Sequence, residues 1–424
     1  MITNKRKHCL RIWPLLKVIS AASFCFATGN VLLTLRMPKY ESPVVDNQAA
    51  AEIEDPSYPW RIVAPSIDTE LPKWLEEYIA FHRKSLAQAR KAKGSNVKDK
   101  NNYMVFYCKS RDRSNCSGTA NQQRAILAAL MVSILTRRVF LIDIDRPVRL
   151  DKILSPHLLE WNYAIPDQKS LKLNKLRMKL AFMDVRNIKP PVLNFPSRFM
   201  PNTSRQLLYI KANSPPNFKG LWRKDEMQMF MSKYNITQKN FQHDIYKWLF
   251  FALYKPTKIL VTRMSEVSEQ LSLSWDSTFV AVHIRTGDGQ FRGQNNTNNY
   301  FRGEIQEFLS CANKMKKLWF TQSTPVVLIT DKDNIRLAAS AMDPFVKYAN
   351  TKIVHTDVSR ISSNDLEGIL NVWVDIFLLA RANSTVKTQG SSFSEFGGTL
   401  LSNPGSAAFV SKCFLGNYTL HHRI

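Results

Sequence analysis

The residue types best suited to chemistry in this 424-residue chain stand in TFVAVHIRTGDG, positions 278–289. An apolar run there delivers His283, Arg285 and Asp288 into a turn punctuated by Gly287 and Gly289. Arg285 carries a planar, permanently charged fork that matches a diphosphate, and the two glycines let backbone approach a ligand. A second such place is QGSSFSEFGG, positions 389–398, where Ser391, Ser392 and Ser394 offer hydroxyls. There the amides that open the next helix, near Phe393, form an anion site. Six of the 14 glycines fall in 287–293 and 390–398, the loops that leave two strands. Together these stretches read as a clamp for the diphosphate of a sugar nucleotide. The plainer alternatives are a surface turn with Arg285 paired to Asp288, and a serine cluster that only caps a helix.

Acidic pairs supply a different chemistry. Asp143 and Asp145 follow an apolar strand as a DxD, a pattern with which a divalent cation and a diphosphate can be held. The pattern recurs at Asp331 and Asp333. Two acids at this spacing arise easily by chance, so a metal-dependent glycosyltransferase using Asp143 and Asp145 stands as the alternative enzyme.

The elements that must position these residues alternate. Met104–Cys108, a helix over 121–135 and Val139–Ile142 make a strand, helix, strand unit and argue a parallel sheet. From residue 274 the alternation repeats: the 279–284 strand, a helix over 301–318, Val326–Thr330, a helix over 334–342, Lys352–His355, a helix over 365–381, and Thr385–Thr388. In open sheets of this kind ligands bind beyond the carboxyl ends of the strands, which is where both loops fall. Residues 150–240 are polar and basic and carry no readable chemistry. The aromatic stretch 241–254 is expected to be helical and to form core between the halves, with Pro256 ending it.

The N-terminus sets the compartment. A basic leader precedes residues 18–35, which carry no charge and are just long enough to span a bilayer. Lys and Arg before the span place residues 1–17 in the cytoplasm and the rest in the secretory lumen, and a cleaved signal peptide would send the body to the same side. Residues 36–100 read as a proline-rich stem and a leading helix over 70–93 with a basic, solvated face. Four cysteines follow the leader, expected as Cys108 with Cys116 and Cys311 with Cys413. Glycosylation sequons stand at Asn115, Asn202, Asn235, Asn295, Asn383 and Asn417. The net charge is +25, of which seven lie in residues 1–40, leaving +18 for an acidic partner. A lumenal address excludes nucleic acid as that partner. An anionic-polysaccharide binder, or a membrane-tethered glycan-binding protein without catalysis, remains as a non-enzymatic reading.

HIRTGD at 283–288, with VDIFLLARANSTVKTQGSSFSEFGG at 374–398, resembles the GDP-fucose-dependent fucosyltransferase superfamily of α1,2-, α1,6- and protein O-fucosyltransferases. GTANQQRAILAALMVSILTRRVFLID is similar to the N-terminal unit of that family, with Ala120 in place of its second loop glycine. The resemblance spans about residues 103–400. It implies an α/β GT-B fold, two Rossmann-like domains facing a cleft, here divided at 101–273 (acceptor side) and 274–424 (GDP-sugar side). It implies an inverting transfer of L-fucose from GDP-fucose to a glycan or glycoprotein, with no metal or other cofactor, in the Golgi or ER membrane. By position, Arg285 would hold the β-phosphate of the donor, His283 and Asp375 would fix guanine, and Ser391, Ser392 and Phe393 would line the phosphate and fucose pocket. Asp288 is the first choice as catalytic base, with Asp143 and Asp145 behind it. Thr286 stands where some relatives carry a second basic residue.

Overall fold

A computed structural model describes residues 71–93, 99–109, 118–164, 183–184, 207–211, 225–274, 276–286, 304–352, 365–400, 407–409 and 413. All belong to the unit Pro56–Ile424; the unit Met1–Asp55 lies outside them. The first half runs α1 (Lys73–Lys93), β1 (Tyr103–Cys108), α2 (Thr119–Leu135), β2 (Val139–Ile144), β3 (Leu154–Pro156), β4 (Met183–Asp184), β5 (Leu207–Lys211), α3 (Asp225–Lys233), α4 (Gln238–Leu253), β6 (Tyr254–Pro256) and α5 (Lys258–Gln270). The second runs β7 (Val280–Ile284), α6 (Ile305–Trp319), β8 (Val326–Thr330), α7 (Asp333–Met342), β9 (Val346–Lys347), α8 (Leu366–Arg381), β10 (Ser384–Lys387), α9 (Ser392–Thr399) and β11 (Ala407–Phe409).

Two parallel sheets result, in the orders β2-β1-β5-β4 and β11-β10-β7-β8-β9, with β3 and β6 paired antiparallel beside them. The central strands β1 (YMVFYC) and β7 (VAVHI) are buried along their whole length, as strands covered on both faces must be. This is the α/β architecture of parallel sheets that the alternation of elements calls for. Helix α8 is apolar nearly all round: of residues 368–381 only Asp375 is more than slightly exposed. A helix of that composition has to be interior. Its start is fixed by Asp365, whose side chain accepts the Gly368 amide at 3.0 Å.

The aromatic stretch forms core between the halves, as its composition demands. Phe250 on α4 packs edge-on against Phe377 of α8 at 6.2 Å and Phe396 of α9 at 6.1 Å. The same core cluster carries side chains of β1 and β2 on one side and Phe279, Ala281 and Val327 on the other. Helix α1 joins the first sheet through Trp74, Leu75, Tyr78 and Ile79, and Tyr78 donates to the Arg138 carbonyl at 2.8 Å. Its Arg83, Lys84, Arg90 and Lys91 are exposed, a solvated basic face. Cys311 and Cys413 form a disulfide, the expected pair. Cys108 is also disulfide-bonded, and the expected partner Cys116 lies outside the described residues.

Several boundaries differ from expectation for physical reasons. The 241–254 helix ends at Leu253, ahead of Pro256, because Tyr254–Pro256 pairs as a strand with Leu154–Pro156. A short strand after α7 is Val346–Lys347, on the edge of the second sheet; of the expected strand Lys352–His355, Lys352 is loop and 353–355 lie outside the described residues. Strand β2 continues through Asp143, so only Asp145 of the DxD lies past its end. The stretch 150–240 contains β5, which pairs with β1 inside the first sheet despite the polar sequence around it. Among the described residues no helix is long and apolar enough to cross a membrane, and the expected span 18–35 lies outside them.

Candidate functional site

Strand β7 delivers its chemistry between two neighbours, β8 on one side and β10 on the other. On the β10 side Thr388 staples the two strand ends. Its hydroxyl donates to the His283 carbonyl at 2.9 Å and accepts the Arg285 amide at 2.9 Å, and its own amide donates to the same carbonyl at 3.1 Å. On the β8 side Asp331 accepts the Thr286 amide and the Thr286 hydroxyl, each at 3.0 Å, through Oδ1. Its Oδ2 lies 3.4 Å from Arg285 Nη1. Arg285 is therefore paired with Asp331 in the described structure, and Asp288, the expected alternative partner and first choice as base, lies outside the described residues.

After Thr388 the chain turns sharply. The Ser391 amide donates to the Thr388 carbonyl at 3.3 Å, with Gly390 at φ +78, a conformation that a side chain at this turn position disfavours. The turn sets Ser391 as the N-cap of α9, yet its hydroxyl makes no capping hydrogen bond. The Glu395 amide is the first to bond back, to the Ser391 carbonyl at 3.0 Å. The amides of Ser392, Phe393 and Ser394 thus have no acceptor within the helix, and they carry its positive end.

His283 connects the two sides. Its ring stacks on Phe393 at 5.3 Å between centroids and 28° between planes. The side chain is 4% exposed, and its Nδ1 meets no hydrogen-bond partner among the described residues. Burial first, then the Arg285 charge, pushes the imidazole down to about 3, so it is neutral throughout the physiological range. A neutral imidazole offers one N–H and one lone pair, the equipment for binding a base edge or a sugar hydroxyl rather than an anion.

His283, Arg285, Ser391, Ser392 and Phe393 are brought to one corner of the second sheet. Asp375 has no hydrogen bond or ion pair to that corner among the described residues. It is the one partly exposed residue of 368–381, and desolvation pushes its carboxyl up to about 7 against the pull of Arg336. Sequence reasoning missed Thr388, which it read only as the last residue of a strand. Asp331 was read as the residue that ends Val326–Thr330 and as half of a second DxD, without a link to Arg285; the usable signal was an acid at the carboxyl end of a strand of the same sheet.

The first sheet meets this corner through α2 and α9. Arg124 Nη1 is 3.1 Å from Glu395 Oε2 and also hydrogen-bonds Tyr246 on α4. Helices that follow parallel strands begin at the carboxyl edge of their sheet. Contact between the N-terminal halves of α2 and α9 thus brings the carboxyl edges of both sheets toward one another. At that edge of the first sheet Asp143 is paired with Lys109, a contact any cation held by the DxD would have to displace. Among the described residues no group of three or more His, Cys, Asp or Glu could hold a metal ion.

Neither a family model nor a curated protein matches the sequence. Solved structures do. FUT1 of Arabidopsis thaliana, an arginine-to-lysine mutant in complex with GDP, superposes with a TM-score of 0.53 at 13% identity, over 79% of this chain and 78% of that one. This chain has the FUT1 fold. NodZ α-1,6-fucosyltransferase soaked with GDP-fucose is more distant, with a TM-score of 0.44 at 14% identity over 71% and 93% of the two chains; NodZ comes from Bradyrhizobium. POFUT1 in complex with GDP gives 0.40 at 14% identity over 74% and 99%. At 13% identity the FUT1 likeness establishes architecture, and what the site does has to be argued from its own residues.

Proposed function

We propose that the chain is an inverting glycosyltransferase that moves L-fucose from GDP-fucose to a hydroxyl of a glycan or glycoprotein. The observation that carries this reading is the corner itself: a guanidinium anchored just past β7, on the strand whose His283 stacks on Phe393 of α9, a helix whose first amides have no acceptor within it. Such a pairing favours a diphosphate. The FUT1 likeness supports it, since that protein was solved with GDP on the same fold.

In the reaction the acceptor oxygen attacks the anomeric carbon of fucose from the face opposite GDP. The bond from that carbon to the β-phosphate oxygen breaks, and the electron pair leaves with GDP. Negative charge grows on the β-phosphate, where Arg285 and the α9 amides stabilise it. The acceptor proton passes to a carboxylate, for which Asp288 is the proposed base. Neutral His283 and Asp375 are the proposed guanine contacts, and Ser391, Ser392 and Phe393 line the phosphate and fucose. The basic leader and the uncharged 18–35 segment support a type II anchor in the Golgi or ER, with this domain lumenal.

GDP-fucose turnover by the full chain tests the reading. Arg285→Ala is expected to lose at least about a hundredfold in rate while remaining folded, in line with removal of one donor to a developing charge. Equal rates for variant and parent would refute the role of Arg285, and no turnover by the parent would refute the assignment.

A further inference from the structure

Asp331 has no part in the reaction as proposed, yet it touches the element on which that reaction depends. It is 8% exposed, the first residue past β8, and both of its oxygens face the segment leaving β7. Oδ1 takes the amide and the hydroxyl of Thr286 at 3.0 Å each, which fixes the backbone immediately after Arg285. Oδ2 lies 3.4 Å from Arg285 Nη1. The Arg285 amide is held from the other side by Thr388 at 2.9 Å. A buried carboxylate that makes three contacts to two successive residues constrains both the course of the chain and the direction of the guanidinium.

We infer that Asp331 is a positioning residue that aims Arg285 at the donor diphosphate, acting through its hydrogen bonds to Thr286 and its charge beside the guanidinium. The inference rests on the proposed donor site. The ion pair engages Nη1 at 3.4 Å, one corner of a fork that carries five donors. Holding those donors before the ligand arrives removes the ordering of a long side chain from the cost of binding. Thr286 has a role in this arrangement too: its hydroxyl is the second ligand of Oδ1, so the position serves to seat the arginine.

A plainer alternative is that Asp331 merely ties two loops together. The two accounts separate in the background in which Arg285 is absent. GDP affinity is measured by calorimetry on the full chain, its Asp331→Ala and Asp331→Asn variants, and the same substitutions combined with Arg285→Ala, with thermal melting to follow the fold. If Asp331 aims Arg285, Asp331→Ala weakens GDP binding by about tenfold in the parent, and by less than about twofold once Arg285 is gone. Asp331→Asn keeps an acceptor for Thr286 and removes the charge, so it recovers part of the loss. It also carries the same comparison if the alanine variant does not fold. An equal loss in both backgrounds, or no loss in the parent, overturns the inference and leaves the donor site standing. A parent chain that binds no GDP overturns the donor site and the inference with it.

Discussion

Burial pushes the His283 imidazole down and the Asp375 carboxyl up, toward the neutral form in each case, and that has consequences for pH. Asp375 is raised from the ordinary 3.8 to about 7, so the folded chain holds its proton more tightly than the unfolded chain does. Its contribution to stability is complete below about 4 and is lost as pH rises through about 7. The proposed guanine contact has the opposite sign, because only the ionised carboxylate accepts from the two donors on the edge of the base. GDP affinity is therefore expected to rise between pH 6 and 8, centred near about 7, and to become flat in Asp375→Asn. Calorimetric titrations across that range check it; a slope that persists in Asp375→Asn would remove Asp375 from the base pocket. At this scale the sequence exposes residue types and hides their partners. Arg285 and His283 are legible because strand, basic residue and glycine come in one run. Asp331 and Thr388 are not, since their contacts reach 45 and 103 residues along the chain.

Among elements, α9 is the one on which the proposed anion site depends, and its seat is made by a glycine. A Cβ placed at Gly397 would stand 2.6 Å from the Cβ of Leu379 on α8, the stem of a buried side chain that cannot swing aside. Gly397→Ala is expected to destabilise the fold by about 1–3 kcal/mol through overpacking, and to weaken GDP binding as α9 shifts. Denaturant unfolding and a GDP titration measure the two; an unchanged midpoint would show that α8 and α9 tolerate separation. Three strands of the second sheet were legible, Val326–Thr330 to the residue, because each is a short run rich in β-branched residues, while the edge strands Val346–Lys347 and Ala407–Phe409 carry too little pattern to be read. Helix α5 and strand β5 were not. The former reads as a mixed polar segment with only Leu260, Met264, Val267 and Ser268 buried, and the latter is placed by pairing with β1 rather than by its own pattern.

For the whole molecule, the alternation of strands and helices was enough to give two parallel sheets, while their shared core was anticipated only at the aromatic stretch. The reason is that contacts such as Phe250 with Phe377, or Arg124 with Glu395, depend on how α2, α4, α8 and α9 stack, which no local period encodes. That stacking matters for the proposed function, because it brings the carboxyl edges of both sheets toward the corner where His283 packs on Phe393 of α9. In the proposed reaction a donor held by the second sheet would meet an acceptor approaching from the first. The most direct measurement is a structure of the full chain with GDP bound. The diphosphate is expected between the Arg285 guanidinium and the amides of Ser392 to Ser394, with the base beside His283; GDP seated elsewhere, with this corner empty, would contradict the account.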